Sequence, residues 1–335
     1  MINLVGKDLA IDLGSANTLV YKKNKGIIMN EASQLALDVK SGEVVAVGNK
    51  AQEMIGKAPE NIAIVNPLED GTISDFDFTK ILIKYCLDQA NKGLNIIQPR
   101  LVITAPSATS DIELRAIEDA CIYSGAREVY IIEAALASAI GAGFDVSKSE
   151  GRLIVNIGAG NTDISLVSLN GIVLSRSVKY AGNNFDRSIQ SFIHDKYSIA
   201  VGDNTVKQLK ENLATLDLSK ENKSLEVSGR DLLSGMPVII DVFQSDIYEA
   251  IIKAINKIIE GIRLVVEKTP PDLSMDILKN GIFLTGASSL IPGLDKYIES
   301  KLGIRVERSE YPQEDTILGA GHVIDNLENY KNIGK

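Results

Sequence analysis

The chain has little cysteine, little histidine, no surplus of positive charge and no long apolar run. Two cysteines occur in 335 residues, Cys86 and Cys121, and both sit in apolar helical patterns. They read as buried thiols in a reducing cytosol, not as a disulfide. Two histidines in the whole chain argue against a histidine metal site and against a Ser–His catalytic arrangement. The formal net charge is −9, so the clustered Lys and Arg that nucleic-acid phosphates demand are missing, and no nucleic-acid partner is expected. No apolar run approaches the roughly 20 residues that span a bilayer. The opening MINLVGKD is too short and too soon charged for a signal peptide. These absences point to a cytoplasmic protein that can still touch a membrane surface.

What is present is an ordinary globular composition, with 45% hydrophobic and 24% charged residues. A chain of 335 residues exceeds what one compact core usually holds, so two domains are expected, closely joined because no floppy linker appears. The pattern is mixed α/β. Leu9–Leu13 and Thr18–Lys23 read as strands around a turn of small residues, and Asn24-Lys25-Gly26 turns the chain into a third strand at Ile27–Met29. Leu101–Thr104 reads as a strand. Ser110-Asp-Ile-Glu113 has the form of a capping box for a helix to about Ser124. Glu128–Glu133 reads as a strand, and Ala134–Gly143 as a small-residue helix that lets another element approach closely. Arg152–Ile157 opens a second meander that closes through Asn170-Gly171. Asp246–Lys268 reads as a long amphipathic helix stopped by Pro270-Pro271. Gly281–Thr285 reads as a strand, Gly286–Ser289 as a loop, and Leu290–Leu302 as a helix with Pro292 early.

One motif occurs twice. Ala10–Thr18 reads AIDLGSANT, and Val155–Thr162 reads VNIGAGNT. Each is a strand and a turn of Gly, Ser, Ala and Asn. Small side chains leave backbone N–H groups free to face an anion. A single glycine turn is usually only a turn. Two copies, each opening a domain-sized half, suggest a duplicated fold whose turns grip a polyphosphate from both sides. Asp12 and Asn156 would then look into one cleft, with Asp12 holding Mg²⁺ through water, because Mg²⁺ keeps much of its hydration shell. A third small loop, Gly286-Ala287-Ser288, fits either a base or ribose lying on the backbone or a plain βα turn.

The stretches DLAIDLGSANTLVY, REVYIIEAALASAIGAG, NIGAGNTDISLVSLNGIVLSRS, SGRDLLSGMP, EKTPPDL and GIFLTGASSLIPGL resemble MreB, the bacterial actin, over about residues 7–325. SGRDLLSGMP and EKTPPDL single that family out within the actin, Hsp70 and sugar-kinase superfamily. The resemblance implies an actin-like α/β ATPase fold of two duplicated, ribonuclease H-like domains in four subdomains, with ATP and Mg²⁺ in the cleft between them. It implies domain I at 1–145 plus about 320–335, with a subdomain inserted at about 31–75. Domain II is then 146–319, with a subdomain inserted at about 183–245. It further implies filaments whose protofilaments pair, lie on the inner membrane surface and govern cell shape, possible co-assembly with other paralogues of the family, or a role in movement in wall-less cells. Carried over residue by residue, the first phosphate loop is Gly14, Ser15, Ala16 and Asn17, and the second is Gly158, Ala159, Gly160 and Asn161. The adenosine loop is Gly286, Ala287 and Ser288, and Lys207 and Lys210 reach the adenosine. Family members usually carry Glu at the place of Lys207.

Three departures bear on hydrolysis. The family reads IEEPMAAAIGAG, and its second Glu is thought to orient the attacking water; Ala134 stands there. The family reads DIGGGTT in the second phosphate loop; Asn156 replaces the Asp and Asn161 the first Thr. A methyl group accepts no hydrogen bond, and an amide is a poor base without charge. Positioning groups of this kind are worth on the order of 10²–10⁴ in rate. The expectation is therefore ATP binding with weak or absent hydrolysis, the alternative being a fully active filament ATPase. Glu133 could substitute only from a position one residue early.

No N-terminal amphipathic helix fits in the few residues before Lys7, so the membrane candidate is the loop with Leu94, Ile96 and Ile97. Those side chains either meet lipid or pack inward as the approach to the next strand. A small-molecule kinase would need a base for the substrate hydroxyl. Asp163 lies beyond the second turn and reads as structural or metal-proximal. An Hsp70-like chaperone would need a separate peptide-binding domain.

Overall fold

Two five-stranded sheets share one topology. In the first, Leu9–Leu13, Asn17–Lys22 and Gly26–Ala32 form an antiparallel meander. Arg100–Ala105 and then Glu128–Glu133 add to its other edge in parallel. In the second, Arg152–Ile157, Thr162–Ser168 and Gly171–Val178 form the meander, and Ile282–Thr285 and Val306–Arg308 add in parallel. The duplication read from the turns is thus a duplication of whole sheets. The computed structural model describes residues 8–91, 97–219 and 222–330.

Strand alternation sets the layers, because successive side chains point to opposite faces. Leu9, Ile11, Leu101 and Ile103 pack on the helices Phe76–Ala90 and Asp111–Tyr123. Their neighbours Ala10 and Val102 face the other way. There they meet Ile154 and Val167 of the second sheet and two helices, Ala134–Gly141 and Asp315–Asp325, wedged between the sheets. Leu153, Val155 and Ile157 point outward into the largest core, under the helices Gly182–Tyr197, Asp203–Leu213 and Gln244–Lys268. Phe185 anchors that core with no exposed surface, a burial worth about 1.5–3 kcal/mol. Cys86 and Cys121 are free and buried, and burial pushes the Cys86 thiol up to about 12, which keeps it inert.

The two wedged helices cross backbone to backbone. A Cβ on Gly141 would lie 1.9 Å from the Asp315 carbonyl oxygen, and one on Gly319 would lie 1.8 Å from that of Ala137. This is the close approach expected of a small-residue helix at Ala134. Two small sheets are inserted into the halves. Leu35–Asp38, Val44–Val47 and Ile62–Val65 form one; Ile199–Ala200, Ser224–Asp231 and Pro237–Phe243 form the other.

The capping box at Ser110 and Glu113 is present, and the helix runs over Asp111–Tyr123. Two local expectations are corrected. The helix expected from Leu290 starts at Leu294, because Gly293 adopts a left-handed φ of 81° that interrupts any helix begun at Pro292. The loop expected over Gly286–Ser289 winds instead into a 3₁₀ turn, Ala287–Leu290.

Candidate functional site

The two phosphate-loop candidates are built alike. Gly14 N–H donates to the Asn17 carbonyl at 3.2 Å, and Gly158 N–H to the Asn161 carbonyl at 3.1 Å. The Gly14 carbonyl accepts from the Ser33 hydroxyl at 2.6 Å, and the Gly158 carbonyl from the Ser288 hydroxyl at 2.8 Å. Each loop ties back one further carbonyl, at different places: Ala16, third in its loop, accepts from Ser33 N–H, and Ala159, second in its loop, from Asn183 N–H, each at 2.8 Å. In both turns carbonyls are tied back to the body of the fold.

The loops meet across an inner chamber of about 230 Å³, lined by Asp12 and Gly14–Asn17 on one side and Gly158–Asn161 on the other, with Gly286 and Ala287 at its edge. Ser15, Ala16, Asn17 and Ala159 also line an outer chamber of about 790 Å³, whose walls include Lys207, Lys210, Ala287 and Ser288. An elongated ligand of one compact polar end and one larger body matches this pair of spaces. Lys210 Nζ is already paired with Asp186 at 2.8 Å and reaches the Gly182 carbonyl at 3.3 Å, while Lys207 lies half-buried in the chamber wall. Every expected nucleotide-site residue therefore lies in one continuous cleft. Of the membrane-loop residues, Leu94 and Ile96 lie outside the described residues, and Ile97 is half-buried.

Asp12 sits on the inner chamber's wall and accepts the Thr104 hydroxyl at 2.6 Å. Burial raises its carboxyl above the usual range, and the Thr104 bond opposes that rise. A buried carboxylate among oxygen donors only is what a hard, hydrated cation such as Mg²⁺ takes, so the residues fit that ion. Among the described residues no group of three or more His, Cys, Asp or Glu offers a cage for a softer metal.

The three altered positions all line the inner chamber. Ala134 presents a methyl group. Asn156 turns its Nδ2 away, toward the Ser138 and Thr316 hydroxyls at 3.3 Å each, at the helix crossing. Asn161 donates from Nδ2 to Asp163 at 2.9 Å and to Ser177 at 3.0 Å. Both amides are thus engaged by the protein. Glu133 does not line the chamber, so it does not stand in for Ala134.

One contact escaped the sequence reading. The Asp70-Gly71 turn closes over the loops: Gly71 N–H donates to the Ser15 hydroxyl at 2.9 Å, and Asp70 meets Lys179 of the other half at 3.5 Å. An Asp-Gly pair is a turn signal, but nothing local says what the turn will cover. Gly160 fits against this contact without a side chain; its Cβ would lie 2.4 Å from Ser15 Oγ. Asp163, expected to be structural or metal-proximal, lines the chamber and is 4% exposed, and burial pushes its carboxyl up to about 6.

Two sheets of one topology with a cleft between their paired turns define an actin-like protein. Solved structures of MreB5 of Spiroplasma citri, bound to ADP and to AMPPNP, superpose with a TM-score of 0.93 at 31% identity, covering 98% of this chain and 99% of theirs. The MamK double helical filament shares the fold, with a TM-score of 0.79 at 24% identity over 94% of this chain and 98% of that one. The family model for MreB/Mbl protein matches residues 6–332, and the chain belongs to that family. It is 37% identical to cell shape-determining protein Mbl of Bacillus subtilis (strain 168), over 97% of this chain and 98% of that protein. It is 34% identical to cell shape-determining protein MreB of Escherichia coli (strain K12), over 97% and 95%.

Proposed function

We propose that this chain is a cytoskeletal filament protein that holds ATP and Mg²⁺ in the cleft, hydrolyses ATP weakly or not at all, and works at the inner face of the cell membrane in cell shape or movement. The mirrored turns carry the reading. Two loops with the same carbonyl tethers face one chamber, and the structurally similar MreB5 of Spiroplasma citri is solved with ADP and with AMPPNP. Backbone amides bind the phosphates, and Asp12 holds the hydrated Mg²⁺. Held there, the ion would supply positive charge that offsets the negative charge of the phosphates. Lys207 and Lys210 wall the adenosine end, with Gly286, Ala287 and Ser288 beneath the base. Binding needs none of the three altered side chains; rapid hydrolysis does.

Self-association follows from apolar surface at elements joined to opposite ends of one long helix. The hairpin Ser224–Asp231/Pro237–Phe243 leads into the N-terminus of Gln244–Lys268, and Leu233, Met236 and Ile239 on it are 93%, 64% and 64% exposed. The helix Pro271–Asn280 follows that helix's C-terminus, and its Met275 and Leu278 are 66% and 63% exposed. The 25-residue helix between the two elements is about 37 Å long. Unlike patches join head to tail, and a rotation that does not close on itself gives an open filament. Leu233→Asp and Met275→Asp should each abolish pelleting with Mg–ATP while leaving nucleotide affinity unchanged. Pelleting at the natural level by both variants would remove these surfaces from the filament.

No helix among the described residues is long and apolar enough to cross a membrane, so contact with lipid is peripheral in this reading. The loop with Leu94, Ile96 and Ile97 makes that contact. Ile96→Ser/Ile97→Ser should abolish co-sedimentation with anionic liposomes. Unchanged sedimentation would exclude the loop.

A further inference from the structure

We propose that Asp163 is the carboxylate that holds the attacking water, and takes its proton, in the slow ATP turnover this cleft supports. The inference rests on the nucleotide reading of the cleft and adds a residue to it.

Among the described residues, the acidic side chains lining the inner chamber are Asp12 and Asp163. Asp12 accepts the Thr104 hydroxyl and is the group that suits the cation. Ala134 offers only a methyl group, and Glu133 lies outside the lining. Asp163 is therefore the carboxylate left to meet a water in the phosphate space.

Its surroundings aim it. Asn161 Nδ2 donates one hydrogen to Asp163 at 2.9 Å and the other to Ser177 Oγ at 3.0 Å. With its oxygen accepting from Asn161, Ser177 is free to donate its own proton to Asp163, and the Ser107 backbone N–H donates as well. A carboxylate offers about four acceptor positions, so these three donors leave about one for a water. The Asn161 amide, which removes a hydrolytic group from the chamber, thus orients another. Ser107 follows the strand Arg100–Ala105 in the first half, whereas Asn161 and Ser177 belong to the second. The three donors thus come from both halves.

The step balances without another reactant. The water oxygen bonds to the terminal phosphorus and the bridging P–O bond breaks. Its electron pair leaves with ADP. One water proton passes to the Asp163 carboxylate and returns to solvent. Burial places that carboxyl at about 6, high enough to accept a proton near neutrality and low enough to be ionised there. The groups facing it are Ser177 from Gly171–Val178, Ser107 after Arg100–Ala105, Asn161 beside it, Asn156 paired across the strands and Asp12 across the chamber. Of these only Asp12 also titrates.

The test measures phosphate release from Mg–ATP by the full chain between about pH 5 and 8.5, with ATP affinity measured in parallel. The natural chain should turn over slowly, with the rate falling about tenfold per pH unit below about pH 6. Asp163→Asn should lose about 10²-fold in rate with ATP affinity retained, and Glu133→Gln should match the natural chain in both. Ser177→Ala, which removes one donor to the ionised form, should move the pH midpoint upward. Full activity in Asp163→Asn, a flat pH profile, or ATP bound with no release at all overturns the inference. Should Asp163→Asn lose ATP affinity through misfolding, the Ser177→Ala midpoint decides: unmoved, it too overturns the inference. Failure of the natural chain to bind ATP would instead overturn the nucleotide reading.

Discussion

The variant Ala134→Glu/Asn156→Asp/Asn161→Thr is expected to release phosphate from Mg–ATP about 10²–10⁴ times faster than the natural chain. All three positions line the inner chamber, so the restored groups reach the same space. Ala134 begins its helix, and a Glu there projects into the chamber from a rigid element. An Asp at position 156 can accept from the Thr316 hydroxyl, whereas the Ser138 hydroxyl already donates to the Ala134 carbonyl, and the exchange adds a charge to the chamber wall that Asp12 also lines. A Thr at 161 returns a hydroxyl to the second loop. Phosphoryl transfer depends on positioning, which is why side chains that bind nothing tightly govern its rate. A malachite-green assay on both proteins, with ATP affinity measured beside it, checks the expectation. A variant that binds ATP as the natural chain does and gains no rate would show that these positions are not what limits turnover.

Gly319→Ala and Gly141→Ala should each destabilise the chain by the upper end of the ~1–3 kcal/mol that overpacking costs. The obstacles are backbone carbonyl oxygens 1.8 and 1.9 Å from the added carbon, and no rotamer change relieves a contact with backbone. The helices Ala134–Gly141 and Asp315–Asp325 must move apart. Both sheets pack on that pair, so the shift opens the cleft and should weaken nucleotide binding as well as lower the Tm. Gly202→Ala is the control, since it has open space around it and φ of −78°. Thermal melts with and without ATP distinguish the outcomes. A Gly319→Ala Tm equal to that of Gly202→Ala would mean the helices do not cross as closely as described.

Features governed by local chemistry were legible in the sequence. Strand alternation around the small-residue turns located both meanders, the Ser110 and Glu113 pair located a helix start, and Asn170-Gly171 located a hairpin. The repeated motif led to a single cleft because duplication turns a local signal into a spatial one. Contacts between distant segments were not legible. Thr104 on Asp12, Gly71 on Ser15 and Ser107 on Asp163 join residues whose spacing carries no period. The helix after Pro292 was misplaced because proline tolerates a first helical turn, and only the backbone of Gly293 refuses it. Asp163 reads from its spacing as either structural or metal-proximal; which of the two depends on how the sheets face each other, and the structure puts it in the chamber lining.

The most direct test puts filament formation and phosphate release in one tube. The purified chain is incubated with Mg–ATP, filaments are scored by electron microscopy and pelleting, and released phosphate is counted against polymerised subunits. The account predicts filaments with ATP, equally with AMPPNP, and far less than one phosphate released per subunit over the time of assembly. Stoichiometric release accompanying assembly would contradict it, because the catalytic water would then be well held despite Ala134, Asn156 and Asn161.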